Sequence, residues 1–254
     1  MKAPMPKPED PFFVGYFKKV SPRIRDFVLV AGALIVSALM VMGLLLPLGA
    51  ADPGAGRYAD DLRGATLTGM IDPLPYPILR LAADGATPAR AILLGGQLKY
   101  GVQGQMPASP AVDIGGVFVR RGAMQMLLVA QNGVKASTAN LSGFTPAAPV
   151  DLGRWRLAGE ICDGKCYAGA MKPGSGLAHK ACANLCIFAG LPPVLVMELP
   201  VEGATEVLLA DQNGGPMPPE LYDLTAMPVT MEGRLERRDD ILVFRIDSGS
   251  VEKM

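Results

Sequence analysis

Two stretches decide how this chain reads: VDIGGVFVRRGAMQMLLVA at residues 112–130 and VTMEGRLERRDDILVFRID at 229–247. Without gaps, Val112 meets Val229 and Gly116 meets Gly233. The pair Arg120 and Arg121 meets Arg237 and Arg238. Apolar positions match too: Ile114 with Met231, Phe118 with Leu235, Met126 with Val243, Leu127 with Phe244, and Val129 with Ile246. Each stretch predicts strand, turn, strand, with the Arg-Arg-Gly and Arg-Arg-Asp-Asp corners as hairpin connections.

Upstream, LTGMIDPLPY at Leu67 is echoed by LAGEICDGKCY at Leu157. The first pair of glycines, Gly69 and Gly159, stands 90 apart (159 − 69). The second pair, Gly116 and Gly233, stands 117 apart (233 − 116). The second copy is thus longer by 27 residues, the length of a Cys-rich stretch inside it. The fold expected is mainly β, with two tandem small barrels at 65–150 and 151–254. The second would carry a Cys/His-rich helical insertion at 162–190. A strand opening on glycine, a middle excursion and a V-x-x-x-G-x-x-x-R hairpin is similar to OB-fold sequences, an analogy of fold and not of function.

N-terminal to this lies FVLVAGALIVSALMVMGLLLPLGAA, residues 27–51, with no charge. At about 1.5 Å per residue it would reach about 37 Å, enough for a hydrocarbon core of about 30 Å. A cleaved signal peptide is the rival reading, but its apolar region would run only about 7–15 residues. Residues 1–26 hold six basic side chains (Lys2, Lys7, Lys18, Lys19, Arg23, Arg25) and three acids. Beyond the span come Asp52, Asp60 and Asp61, in a polar linker at 52–64. The excess of positive charge before the span places residues 1–26 in the cytoplasm and the β-rich part in the periplasm of a bacterial inner-membrane protein. In the tail, Phe12, Phe13, Tyr16 and Phe17 recur at roughly helical spacing before Lys18 and Lys19. They suit an interfacial anchor in the lipid bilayer or a surface for another membrane subunit.

Charge is balanced, with 24 basic and 24 acidic residues, and aromatic residues are 6% of the chain. Neither a basic excess nor a stacking surface is present, so no nucleic-acid partner is expected. The 30 glycines and 23 prolines fall in short clusters between apolar runs, as turns between strands do.

All four cysteines and the only histidine lie in CDGKCYAGAMKPGSGLAHKACANLC, residues 162–186. His179, Cys182 and Cys186 share one face if HKACANLCIF is a helix, with KPGSG as the turn into it. Three chemistries compete. Cys162, Cys166, Cys182 and Cys186 could form two disulfides, more easily across the two C-x-x-x-C halves than within one. Cys166, His179, Cys182 and Cys186 could hold zinc or an iron–sulfur centre. A reactive thiol would want a cationic neighbour such as Lys165 or Lys180. Neither C-x-x-C nor C-x-x-C-H occurs, and no G-x-S-x-G or H-E-x-x-H motif suggests an independent enzyme. Glu160, Asp163 and Asp211 lie near turns, where acids are usually solvated.

The run KCYAGAMKPGSGLAHKACANLCIFAGLPPVLV resembles a motif of uncharacterised bacterial envelope proteins. They carry K-C-Y-x-G-x-M-x-P-G, then H-x-x-C-A-x-x-C-I and G-x-P-P. The matching residues are Lys165, Cys166, Tyr167, Gly169, Met171, Pro173, Gly174, His179, Cys182, Ala183, Cys186, Ile187, Gly190, Pro192 and Pro193. Cys162 is not a motif position, so the resemblance implies three cysteines and one histidine. That set shifts the balance toward a metal or cofactor site, level with the two bridges. The expectation is an anchored periplasmic accessory or electron-transfer subunit of a membrane redox complex. The alternatives are a structural envelope protein stapled by disulfides and a periplasmic thiol-redox protein.

Overall fold

The structure is a computed structural model that describes residues 22–49, 53–59, 66–85, 87–141 and 143–254. The chain divides into two units, Met1–Ala51 and Asp52–Met254. The first contains the helix α1, Pro22–Gly49. Its stretch Ile24–Leu45 has a mean hydropathy of 2.7, and none of it is buried. A core helix of a soluble protein would cover such a surface. Here every large apolar side chain described, from Phe27 to Leu45, is at least half exposed. The helix is long and apolar enough to cross a membrane once. It starts at Pro22, five residues before the expected Phe27, and Pro at the first helical position suits a helix start. Phe12, Phe13, Tyr16 and Phe17 lie outside the described residues, as do residues 52 and 60–64 of the expected linker.

The second unit is mainly β. Its first sheet comprises β1 (Arg57–Ala59), β2 (Thr66–Asp72), β3 (Ile78–Leu81), β4 (Arg90–Gly96), β5 (Ala111–Arg121) and β6 (Met124–Ala136). The order is β1-β5-β2-β3-β4-β6, and β5 also pairs with β6, so β2 to β6 close into a five-stranded barrel. All pairings are antiparallel except β4 with β6. The second sheet comprises β7 (Val150–Asp163), β8 (Pro193–Val201), β9 (Ala204–Ala210), β10 (Pro228–Arg238), β11 (Ile241–Ile246) and β12 (Glu252–Lys253). Its order is β11-β9-β8-β7-β10-β12, with β10 also paired to β11 and β9 parallel to β11. Between β7 and β8 lies one short helix, α2 (Lys180–Phe188).

Both quoted stretches are hairpins. β5 and β6 meet at Gly122-Ala123, and β10 and β11 meet at Asp239-Asp240. The first residue of each two-residue corner has a positive φ, 55° at Gly122 and 50° at Asp239, as a tight hairpin turn requires.

Three apolar clusters follow from strand periodicity. Ile92, Leu94, Ile114, Phe118, Leu127 and Val129 fill the first barrel. Ile161, Leu195, Leu209, Met231, Leu235 and Phe244 pack within the second sheet. The alternate residues of the same strands, Leu93, Val119, Met126 and Leu128, meet Val194, Leu208 and Val243 in a third cluster shared by the two sheets. Successive side chains point to opposite faces of a strand, so β4 and β9 are apolar without alternation because both faces are covered. The expected division into 65–150 and 151–254 therefore runs through a shared core.

Charged groups cross the same boundary. Arg80, 2% exposed, donates through Nε to Asp239 at 2.5 Å and through Nη2 to the Ala147 carbonyl at 3.0 Å. Asp240 accepts the Ala91 N–H at 2.6 Å. Arg238 donates to Asp72 at 3.0 Å and to the Leu74 carbonyl. The acidic corner of one hairpin is thus docked on β3 and β4 of the other sheet.

Candidate metal centre

The centre is built where β7 ends. Asp163, its last residue, has a fully buried side chain. One carboxylate oxygen accepts the Cys166 N–H at 2.9 Å, which starts the helical turn that carries Cys166. The other lies 2.9 Å from His179 Nε2. One buried acid therefore fixes both a thiol and an imidazole. Asp163 was expected to be solvated, as an acid near a turn. Local sequence carries no sign that its partners come from residue 179.

The turn Cys166–Ala170 packs backbone to backbone on the start of β1. Gly169 has φ 128°, and a Cβ there would run into Arg57 N and the Gly56 carbonyl carbon. Gly169→Ala should cost on the order of 2–3 kcal/mol in urea unfolding, since the strained φ and the collision act together. A loss under about 0.5 kcal/mol would mean the turn is free to move away. The segment 171–176 then folds back so closely that a Cβ on Gly174 would meet the Cys166 carbonyl. A single 3-10 turn, Leu177–His179, leads into α2, with His179 at its N-cap position.

α2 places Cys182 and Cys186 one turn apart. The ligand atoms of Cys166, His179 and Cys182 lie within 4.8 Å of one another. Those of Asp163, Cys166 and Cys186 do the same. Cys166 belongs to both groups, so all four residues expected at a metal site gather around it, with Asp163 added. Cys166 sits in the helical turn beyond β7, not on the strand where the sequence pattern puts both members of the first pair. Cys162 stands apart on β7, its thiol donating to Glu160 Oε1 at 3.1 Å. The four cysteines carry no sulfur–sulfur bond.

The thiols are electrostatically distinct. Cys166 and Cys186 share a hydrogen bond, which together with burial pushes the Cys166 thiol up, while the same bond draws Cys186 down. Cys186 is therefore the sulfur more ready to become a thiolate. Burial pushes Cys162 up, with Glu160 adding to it, and keeps it an inert thiol. Of the two lysines expected, Lys165 stands beside the cluster: burial lowers its pKa, against the opposing fields of Cys186, Cys166, Asp163 and Cys182. A second cation, Lys99, was not expected, and a hydrogen bond with Cys182 favours its charged form. Lys165 also donates to the carbonyls of Gly96, Gln97 and Leu98 at 3.0, 2.6 and 2.7 Å. It fixes the loop that presents Lys99. Lys180 is engaged by the Asp223 carbonyl at 2.5 Å and by Met227 Sδ at 3.2 Å.

Three thiols and an imidazole are soft and borderline donors, the set used by zinc, copper(I) and iron–sulfur centres. With Nε2 donating to Asp163, a neutral imidazole would offer the lone pair of Nδ1 to a metal. This is the carboxylate–histidine arrangement that raises the basicity of a ligand. Asp163→Asn keeps the hydrogen-bonding shape without the charge. It should weaken metal binding about 10–100-fold. Unchanged affinity in a chelator competition would show that His179 is no ligand.

A separate cavity of about 380 Å³ lies at the hairpin corners, lined by Arg90, Glu202, Glu206, Arg237, Asp239 and Asp240 among others. It shares no residue with the cysteine cluster. No family model, curated protein or solved structure matches this chain.

Proposed function

We propose that this chain is a single-pass protein of a bacterial inner membrane that holds one thiolate–imidazole metal centre at the periplasmic face. In this reading it serves as an accessory or electron-transfer subunit of a membrane redox complex. The observation that carries the proposal is that Cys166 lies within ligand distance of His179 and Cys182 in one group and of Asp163 and Cys186 in a second. Buried thiols need not approach a histidine for packing alone. The apolar exposed helix and the basic tail support the anchor and its direction. Leu177, Leu185 and Phe188, all more than half exposed on or beside α2, offer an apolar face next to the centre for another subunit. The likeness of residues 165–193 to envelope proteins agrees with this placement.

The same proposal holds that the two sheets are copies of one OB-like barrel. Both join their strands in equivalent order, each with one parallel pairing. Gly69 pairs with Val112 and Gly159 with Val229, so the two sequence matches agree in register. The connection between β2 and β3 is residues 73–77. Between β7 and β8 it is residues 164–192, where an insertion carrying the centre would lie.

Metal analysis and optical spectra of the full chain purified in mild detergent test the centre. A bound metal with three free thiols blocked from alkylation supports it. A metal-free protein whose thiols are all oxidised would replace it with the disulfide reading, for which the shared Cys166–Cys186 hydrogen bond is the favouring observation. Co-purifying redox subunits support the subunit role, and a solitary monomer counts against it. Alkaline phosphatase fused after Met254 should be active if the β-rich unit is periplasmic, and inactive if the orientation is reversed.

A further inference from the structure

We infer that Met171 is an additional ligand of this centre and that the metal it selects is copper(I); this rests on the metal reading above. Met171 Sδ lies 3.4 Å from Cys182 Sγ. Its side chain is 40% exposed, so it fills no core gap. The segment that carries it is held against Cys166 by the close approach of Gly174 and by Glu160, which accepts the Gly176 N–H at 2.5 Å. A thioether sulfur is thereby kept beside Cys182, the partly exposed thiol of the cluster.

The chemistry of the donor set discriminates among metals. Zinc in proteins takes thiolate, imidazole and carboxylate, and gains little from a neutral thioether. Copper(I) is the soft ion that thiolate and thioether sulfur select together. Iron–sulfur clusters prefer four thiolates, and here the fourth cysteine, Cys162, stands apart with Glu160. Methionine at 171 adds nothing to a zinc site and completes a copper(I) site. Cys182 is partly exposed, so the ion would be reachable from the Met171 side and could exchange with a partner.

The test uses the full chain in detergent, reduced and stripped of metal. Copper(I) is titrated against bicinchoninate, and zinc in parallel against a chromophoric chelator. The expected result is one copper(I) per chain, with Met171→Leu weakening copper(I) at least about tenfold while zinc changes less than about twofold. Copper-edge X-ray absorption on protein grown with selenomethionine should show a copper–selenium shell that Met171→Leu removes. Equal copper(I) affinities for both variants without a selenium shell would overturn the role of Met171, leaving the metal centre itself standing if zinc still binds. Failure of the reduced chain to bind either ion would sink this inference together with the metal reading. The half-exposed position of Met171 makes the leucine variant expected to fold, which an unchanged melting temperature would verify.

Discussion

Arg80→Met should destabilise the β-rich unit by about 3–5 kcal/mol, the largest stability effect expected in this chain. Arg80 is 3% exposed at its side chain and its main partner Asp239 only 5%. Removing the guanidinium leaves the largely buried Asp239 carboxylate without its ion-pair partner. Asp72 suffers less, because Arg238 still pairs with it at 3.0 Å. The cost is therefore concentrated at one acid, and that makes it testable. Asp239→Asn in the same chain should restore a good part of the loss, since a neutral amide tolerates both burial and the positive φ of the corner. Urea unfolding of the full chain in detergent, followed by the fluorescence of Trp155, measures both variants. A single-variant loss below about 1 kcal/mol would mean that water reaches Asp239 and that the two sheets are not pinned here.

Cys166→Ser should reduce metal affinity by about 100-fold or more. A structural thiolate site binds with about 10–16 kcal/mol, so one ligand of four accounts for roughly 3 kcal/mol. Cys166 is singled out because it is the one residue common to both groups of ligand atoms. Its sulfur also holds the hydrogen bond that lowers Cys186, so its loss weakens a second ligand. Cys162→Ser is the control. It should leave affinity within about twofold, since that thiol lies with Glu160 and outside both groups. Chelator competition on both variants decides the point. If Cys162→Ser has the larger effect, the centre has been assigned to the wrong sulfurs.

Much of this was legible along the chain. The helix could be read because an uncharged run of 25 residues has no polar face to hide. The hairpins could be read because each corner sits between matched apolar runs, and strand limits depend on local turn chemistry. The helix that carries Cys182 and Cys186 could be read because helical spacing is a short-range rule. Asp163, Lys99 and Met171 could not, because each acts on a residue that folding brings to it from at least eleven positions away. An acid at a strand end looks the same in sequence whether it faces water or a buried histidine.

Periodicity and composition alone determined a long apolar helix near the N-terminus, a β-rich remainder with turns at defined corners, and cysteine chemistry in one stretch of 25 residues. Those features depend on neighbours a few positions apart. The tertiary structure decided that Asp163 meets His179, that Lys99 joins Lys165 beside the cluster, and that the two sheets share a core. Those depend on desolvation and on distances between residues that only the closed sheets bring together. The resemblance between the stretches at 112–130 and 229–247 marked out the scaffold. The meeting of Cys166 with α2 was settled by the fold built on it.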